Sequence, residues 1–361
     1  MRATVFGESH GSAVGVLVEG VPPGLALDMG RIAFEMARRS PGGGGLSTGR
    51  REQDKPDIIS GLHDGRTTGA PLCAIIQNGD ARPADYEKLK RLPRPGHADY
   101  AAFVRYGGHN DVRGGGHFSG RLTAPLVFAG AVAKQFLALR EIFVGGQLLS
   151  VADVRGAGFD GQEVSRELLA SIAMKDFPVL DDELAAKMKK KILEAKEQGD
   201  SVGGVIECAI AGLPAGIGEP GGCSLESLIA KNAFAVPGVK GIEFGAGFGF
   251  ARIMGSEGND CMAMDEGGDV KMLSNNNGGI SGGISTGAPV IFSVALRPTP
   301  SIAKRQQTVD LVSRTTAELS IEGRHDPCIA HRALPAVEAA AALAIIDALE
   351  KIGGERYVGQ I

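Results

Sequence analysis

Seven histidines occur in 361 residues, and five of them sit where a ligand could reach them. His10 lies in "GESHG", His97 in "RPGHADY", His109 and His117 in "GGHNDVRGGGHFSGR", and His325 in "GRHDPC". An imidazole titrates near neutral pH, and an adjacent glycine lets a bound molecule approach the backbone, so these loop histidines are candidates for proton transfer. Metal chemistry does not fit the spacing, because there is no H-E-x-x-H and no carboxylate at ligand spacing beside two histidines. "GESHG" also matches G-x-S-x-G, the turn that exposes a nucleophilic serine between a strand and a helix. Residues 2–6 can form the strand. After Gly11, however, Val14, Val16 and Val18 alternate and read as a second strand, so Ser9 lacks the helix that a hydrolase would use.

Arginines and glycines supply the rest of the chemistry. "ARRS" and "GRRE" place Arg38, Arg39, Arg50 and Arg51 on either side of "PGGGGLSTG". That arrangement suits a bidentate clamp on phosphate or carboxylate, and it equally suits solvated arginines at a helix end. Arg324-His325-Asp326-Pro327 combines an anion clamp, a base and an acid, or else forms a turn in which Asp caps locally and Pro starts a helix. "NNNGGISGGISTGAP" and "RPTPSIAKRQQT" add a glycine loop, hydroxyls and the cations Arg297, Lys304 and Arg305, the materials of a phosphate site. No P-loop is present, and "GAGFGF" lacks the third glycine of the dinucleotide fingerprint.

These residues need a scaffold, and the chain is long and apolar enough to build one, with 43% hydrophobic residues. No run of about 18 apolar residues and no basic-then-apolar leader are visible, which points to a cytoplasmic protein without a membrane span. Five scattered cysteines without C-x-x-C argue against a disulfide framework and read as buried free thiols. A net charge of -4, 5% aromatic residues and no tryptophan leave little for nucleic-acid binding.

Asp28 caps a predicted helix from Met29 to Arg39, which Ser40-Pro41 and four glycines stop. Further helices are predicted at 84–91, from Thr123 to about 139, behind an Asp cap at 181–200, and at 223–234, 301–319 and 335–351, the last with Pro335 in its first turn. Strands are predicted at 57–60, 71–76, 202–210, 240–244, 248–253 and 289–296. "VLVEGVPPGLAL" at 16–27 and "ECAIAGLPAGIG" at 207–218 share a strand, then Gly-[Val/Leu]-Pro-x-Gly, then a helix. The echo predicts an internally duplicated α+β fold, residues 1–361 forming one domain of two pseudo-symmetric halves.

Five blocks carry a resemblance. "FGESHGSAVGVLVEGVPPG", "RPGHADY", "DVRGGGHFSGRLTAPLVFAGAVAK", "NGGISGGISTGAPV" and "GRHDPCIAHRALPAVEAAAAL" resemble, in order and spacing, the signature blocks of the chorismate synthase family, from Phe6 to about Leu343. The resemblance implies a β-α-β sandwich, a homotetramer, and a lyase that uses reduced FMN to convert 5-enolpyruvylshikimate 3-phosphate into chorismate and phosphate. The family's catalytic histidines fall on His10 and His97 and its catalytic aspartate on Asp326, with Ser9 as a hydrogen-bonding relay. Its flavin contacts fall on Ser119, Gly282, Arg297, Thr299, Ser301 and Arg324, and its substrate cations on Arg39, Arg50 and Arg121.

Some positions depart from the family pattern. The usual "RSSARET" reads "HFSGRLT" here, Gly45 stands where many members carry a second substrate-side arginine, and Arg297 replaces a usual lysine. His117 is then expected to stand in for the missing cation at the flavin. Some members reduce FMN with NADPH. This chain shows no dinucleotide fingerprint, so NADPH is expected to act only indirectly, through an external flavin reductase.

Overall fold

The computed structural model describes residues 1–41, 45–46, 54–79, 89–321 and 325–351. The first half begins with β1 (Arg2–Gly7) and β2 (Ala13–Glu19), and α1 (Met29–Arg39) follows. Then come β3 (Asp57–Ser60), the hairpin of β4 (Leu62–His63) and β5 (Arg66–Thr67), and β6 (Leu72–Gln77). The short α2 (Asp99–Tyr106) leads through a glycine-rich turn to the buried α3 (Thr123–Ala138).

The second half opens with β7 (Phe143–Val151) and β8 (Val154–Arg155), then α4 (Arg166–Ala173), α5 (Asp182–Glu197), β9 (Gly204–Ala211) and α6 (Leu225–Ala233). After β10 (Val239–Phe244) come the one-turn α7 (Gly255–Gly258), the hairpin of β11 (Met262–Met264) and β12 (Val270–Met272), and the hairpin of β13 (Ile280–Ser281) and β14 (Ile284–Ser285). β15 (Val290–Leu296), the hairpin of β16 (Gln306–Asp310) and β17 (Thr315–Leu319), and α8 (Ala330–Lys351) complete it.

Two antiparallel sheets, β1-β2-β6-β3 and β10-β15-β9-β7-β8, enclose a layer of helices. α3 lies on the first sheet and α8 on the second, and the two cross in the middle, with α1 against α3 and α6 against α8. This α+β arrangement is the expected layered sandwich. Read from β1 and from β7, both sheets run in one order, and α1 follows β2 as α6 follows β9.

The turns repeat too. Gly24 N donates to Thr67 O at 2.8 Å, and Gly216 N to Ser285 O at 2.9 Å. The Thr67 hydroxyl accepts from Leu25 N and donates to Pro22 O, and the Ser285 hydroxyl does the same with Ile217 N and Pro214 O. "TTGAP" and "STGAP" carry these matching hydroxyls.

Several expectations need correction. Residues 301–319 form no helix: Thr308, Val309, Thr315 and Thr316 favour a pleated pair, and the Asp310 carboxylate closes the turn by accepting from Val312 N and Ser313 N. Residues 248–253 are no strand. Glu243 caps a 3-10 turn at Gly247–Arg252 whose side chains point to solvent, with no sheet neighbour. α8 begins five residues earlier than expected, so Pro335 lies inside it rather than in its first turn. The 84–91 prediction falls mostly outside the described residues. Of the five free cysteines only Cys208 and Cys328 are buried.

α3 and α8 meet at Gly130, where an added Cβ would stand 2.1 Å from Ala339 Cβ. Gly130→Val should therefore destabilise the protein by about 1–3 kcal/mol through overpacking. An unchanged melting temperature would show that the helices are not held this close.

Candidate active site

"GESHG" forms the connection from β1 to β2, with Gly7 opposite Val14 in the antiparallel register, so no helix follows Ser9. The turn is buried: Ser9 is 5% exposed and His10 is 6% exposed. Gly114, Gly115 and Gly116 all take positive φ (60°, 85° and 53°), which glycine adopts without strain. A side chain on Gly114 would come within 2.2 Å of His10 Nδ1 and 2.7 Å of Ser9 Oγ, and one on Gly115 within 3.1 Å of His97 Nε2. The glycine run thus packs between the two histidines. Ser9 N donates to Gly116 O, and His117 Nδ1 lies 3.1 Å from Gly7 O, so the two turns are pinned together.

His97 belongs to a second cluster. Its Nδ1 is 2.5 Å from Asp99 Oδ1, and Asp99 also accepts from Arg94 Nε at 2.7 Å and Nη2 at 2.8 Å. Burial would raise the Asp99 carboxyl, but the hydrogen bonds from Arg94 and His97 outweigh it and hold the group well below the usual carboxylate range. Arg94 Nη1 donates on to Ser301 Oγ at 3.3 Å. Arg297 donates to Gly96 O and Pro298 O, and the Thr299 hydroxyl is buried without a hydrogen-bond partner among the described residues.

The third cluster gathers arginines expected on the substrate side. Arg39, at the last residue of α1, donates Nε to Asp54 Oδ2 at 2.9 Å and Nη1 to Thr123 Oγ1 at 3.2 Å. Arg121 binds the other Asp54 oxygen and reaches Asn78 Oδ1 at 2.9 Å. Burial lowers the Arg39 guanidinium; Asp54 opposes this, and the positive charges of Arg332 and Arg121 add to it. Arg332, on α8, donates Nη1 to Asp326 at 2.5 Å and Nε to the Arg39 carbonyl at 3.1 Å.

These clusters surround one cavity of about 650 Å³, a size typical of small-molecule sites. Its walls include Arg39, His97, His117, Ser119, Arg121, Arg297, Thr299, Ser301 and Asp326 from the expected set. His10 and Ser9 stand behind Gly114 at the back of the wall. Gly282 does not line it and occupies the tight turn between β13 and β14. Arg50 and Arg324 lie outside the described residues. Arg94, Asp54, Asp99, Lys240 and Arg332 were not singled out in the sequence. Arg94 and Asp99 stand within "RPGHADY" itself and could have been found there, whereas Asp54 and Arg332 carry no local signal.

Among the described residues, six cations (Arg39, Arg94, Arg121, Arg297, Arg332 and Lys240) line the cavity, and three carboxylates (Asp54, Asp99 and Asp326) pair with them. A cavity lined by so many cations in a net negative chain, and edged by histidines, suits an enzyme that handles small anions. The chorismate synthase family model matches residues 1–349. Chorismate synthases of Methanosarcina mazei and Dehalococcoides mccartyi are 44% and 43% identical over 98% of this chain and 95% of each relative. That of Aeropyrum pernix is 44% identical over 96% of this chain and 90% of its own. A crystal structure of chorismate synthase superposes with a TM-score of 0.75 at 28% identity, covering 98% of this chain and 92% of that one. The chain belongs to the chorismate synthase family, lyases that carry out the last step of the shikimate pathway.

Two predictions follow from the geometry. Gly114→Ala would press a methyl onto His10 and demand positive φ from alanine, so turnover should fall by about 10²-fold with the fold retained. Parent-like turnover would show that His10 is not held by this contact. His331, stacked on Phe177 beside Arg332, is lowered by burial to about 4, with Asp326 opposing and Arg332 adding to the shift. Between about pH 6.5 and that value the unfolded chain takes up a proton that the folded chain refuses, so stability falls as pH drops through this window. His331→Phe, which keeps the ring stack, should melt with a weaker pH dependence there; an identical dependence would assign the effect to another group.

Proposed function

We propose that the cavity holds 5-enolpyruvylshikimate 3-phosphate and reduced FMN, and that the chain catalyses the anti 1,4-elimination of phosphate from C3 and hydrogen from C6 to give chorismate. The observation that carries this reading is the meeting of His97, Asp326 and the Arg39–Arg121 pair in one cationic cavity, with His10 directly behind its glycine wall.

The residues present fit a flavin phosphate and ring. Arg297, the unpartnered Thr299 hydroxyl and Ser301 offer a cation and hydroxyls on one loop, while Ser119 and His117 offer polar groups opposite. When bound, reduced FMN supplies electron density to the allylic system and takes up the C6 hydrogen.

Arg39 and Arg121 both line the cavity, where guanidiniums can hold the departing phosphate, and His10 protonates it. His97, oriented by Asp99 at Nδ1, holds a proton beside the flavin's place and favours negative charge there. Asp326, fixed by Arg332, moves a proton at its carboxylate with Ser9 as relay. The flavin roles of Gly282 and Arg324 and the substrate role of Arg50 rest on the resemblance alone.

The two halves, alike in strand order and turns, read as copies of one unit within a single domain. Exposed apolar side chains on the excursion after β10, including Phe248, Met254, Met262 and Met264, support the expected homotetramer. Among the described residues no helix is long and apolar enough to cross a membrane, which accords with a cytoplasmic biosynthetic enzyme.

An anaerobic mixture of protein, photoreduced FMN and 5-enolpyruvylshikimate 3-phosphate should release phosphate and develop chorismate absorbance, and oxidised FMN should give neither. His97→Ala should be slower by about 10²-fold. No product despite bound substrate would overturn the activity. Sustained aerobic turnover with NADPH alone would overturn the dependence on an external reductase.

A further inference from the structure

Away from the cavity, four charged side chains meet inside the helical layer. Glu338 of α8 is completely buried. It accepts from Arg38 Nη1 at 2.6 Å, Arg38 Nη2 at 2.8 Å and Lys134 Nζ at 2.5 Å. Glu35 closes the ring, accepting from Arg38 Nη1 at 2.7 Å and Lys134 Nζ at 2.8 Å. Two cations and two carboxylates thus balance while joining α1, α3 and α8. Burial alone would raise the Glu338 carboxyl, but Arg38 and Lys134 outweigh it and hold it down at about 2.

A buried ion network is a weak source of stability, because apolar residues of similar volume often serve as well; its best-attested use is to specify one register. The register at issue is the rotation of α1. Arg38 and Arg39 are consecutive in its last turn, so their side chains leave the helix about 100° apart. Arg38 points into the network, and Arg39 points to Asp54 and the cavity. Holding Arg38 against α8 therefore sets where Arg39 aims. Arg332, six residues before Glu338 on α8, holds the same end of α1 by its bond to the Arg39 carbonyl.

We propose that Glu338 is a positioning residue for the anion site: through Arg38 it fixes the rotation of α1, and so the direction in which Arg39 presents its guanidinium to a phosphorylated ligand. This rests on reading Arg39 as a ligand-facing cation. The test compares Glu338→Gln with the pair Lys134→Met/Glu338→Gln in the full chain. The pair removes one charge of each sign and leaves Arg38 with Glu35 on its own helix, without a charged tie to α8.

Three quantities are read: melting temperature, KM and kcat for 5-enolpyruvylshikimate 3-phosphate, and calorimetric binding of inorganic phosphate to the flavin-free protein. The pair should recover melting temperature lost by Glu338→Gln. Both variants should nevertheless raise KM and weaken phosphate binding by roughly tenfold or more, with much smaller changes in kcat. Recovery of affinity together with melting temperature would reduce the network to a structural role and overturn the proposal. Arg39→Gln separates the two readings. If it binds phosphate and substrate like the parent protein, the assignment of Arg39 fails; if it binds weakly while the Glu338 variants bind normally, only the positioning role fails.

Discussion

A guanidinium taken out of water needs a carboxylate, and here one carboxylate serves two of them. Asp54 lies between Arg39 and Arg121, all three nearly inaccessible to solvent, and the paired cations hold its carboxyl low although burial alone would raise it. Three distant segments converge on this point: the end of α1, the turn before α3 and the approach to β3. Both guanidiniums also border the cavity, so the carboxylate that holds them inside the protein holds them at its wall. Arg94 with Asp99, and Arg332 with Asp326, are further guanidinium–carboxylate pairs around the same cavity, and Asp99 also holds His97 Nδ1.

Packing charges this closely requires backbone without side chains between them. Gly114 and Gly115 meet that need at the histidines, and Gly96 meets it beside Arg297, where an added Cβ would fall 2.4 Å from the guanidinium. The "RGGG" run is therefore better explained by the crowding of His10, Ser9 and His97 than by loop mobility. The G-x-S-x-G pattern has a different cause: Gly7 takes φ of 97°, and an added Cβ would stand 2.5 Å from Ala13 O in the tight connection between β1 and β2.

Local signals were readable and long-range ones were not. The Asp28 carboxylate accepts from Gly30 N and Arg31 N, and α1 spans Met29 to Arg39 as its cap and its terminating Ser-Pro predict. Residues 301–319 read as a helix because their polar composition has no helix stop within it, while the alternation of Thr308, Leu319 and their neighbours is short and sets only a two-stranded ribbon. Phe143–Val151 escaped notice because Gly145 and Gly146 interrupt its pattern; they are there so that Leu169 and Leu334 can lie close to the strand. At the site, the histidines announced themselves by their glycine neighbours. Asp54 and Arg332 gave no such sign, since a partner to a buried charge is defined by where the chain returns and not by what flanks it.

The shared order of the two sheets explains why the cavity lies where it does. α1 and α6 follow equivalent strands, and the C-terminal ends of both border the cavity, through Arg39 and through Phe234–Val236. α3 and α8 follow equivalent strands too, and both begin at its wall, through Arg121–Thr123 and through Asp326–Ala333. Equivalent ends meeting at one place would give a symmetric pocket if their sequences were alike. The sequences diverge at those ends: "ARRS" and "GRLT" from the first unit supply the paired arginines, while "FAVPG" from the second supplies an apolar wall that ends in Lys240. Unequal divergence of equivalent ends therefore puts paired guanidiniums on one side of the cavity and an apolar wall on the other.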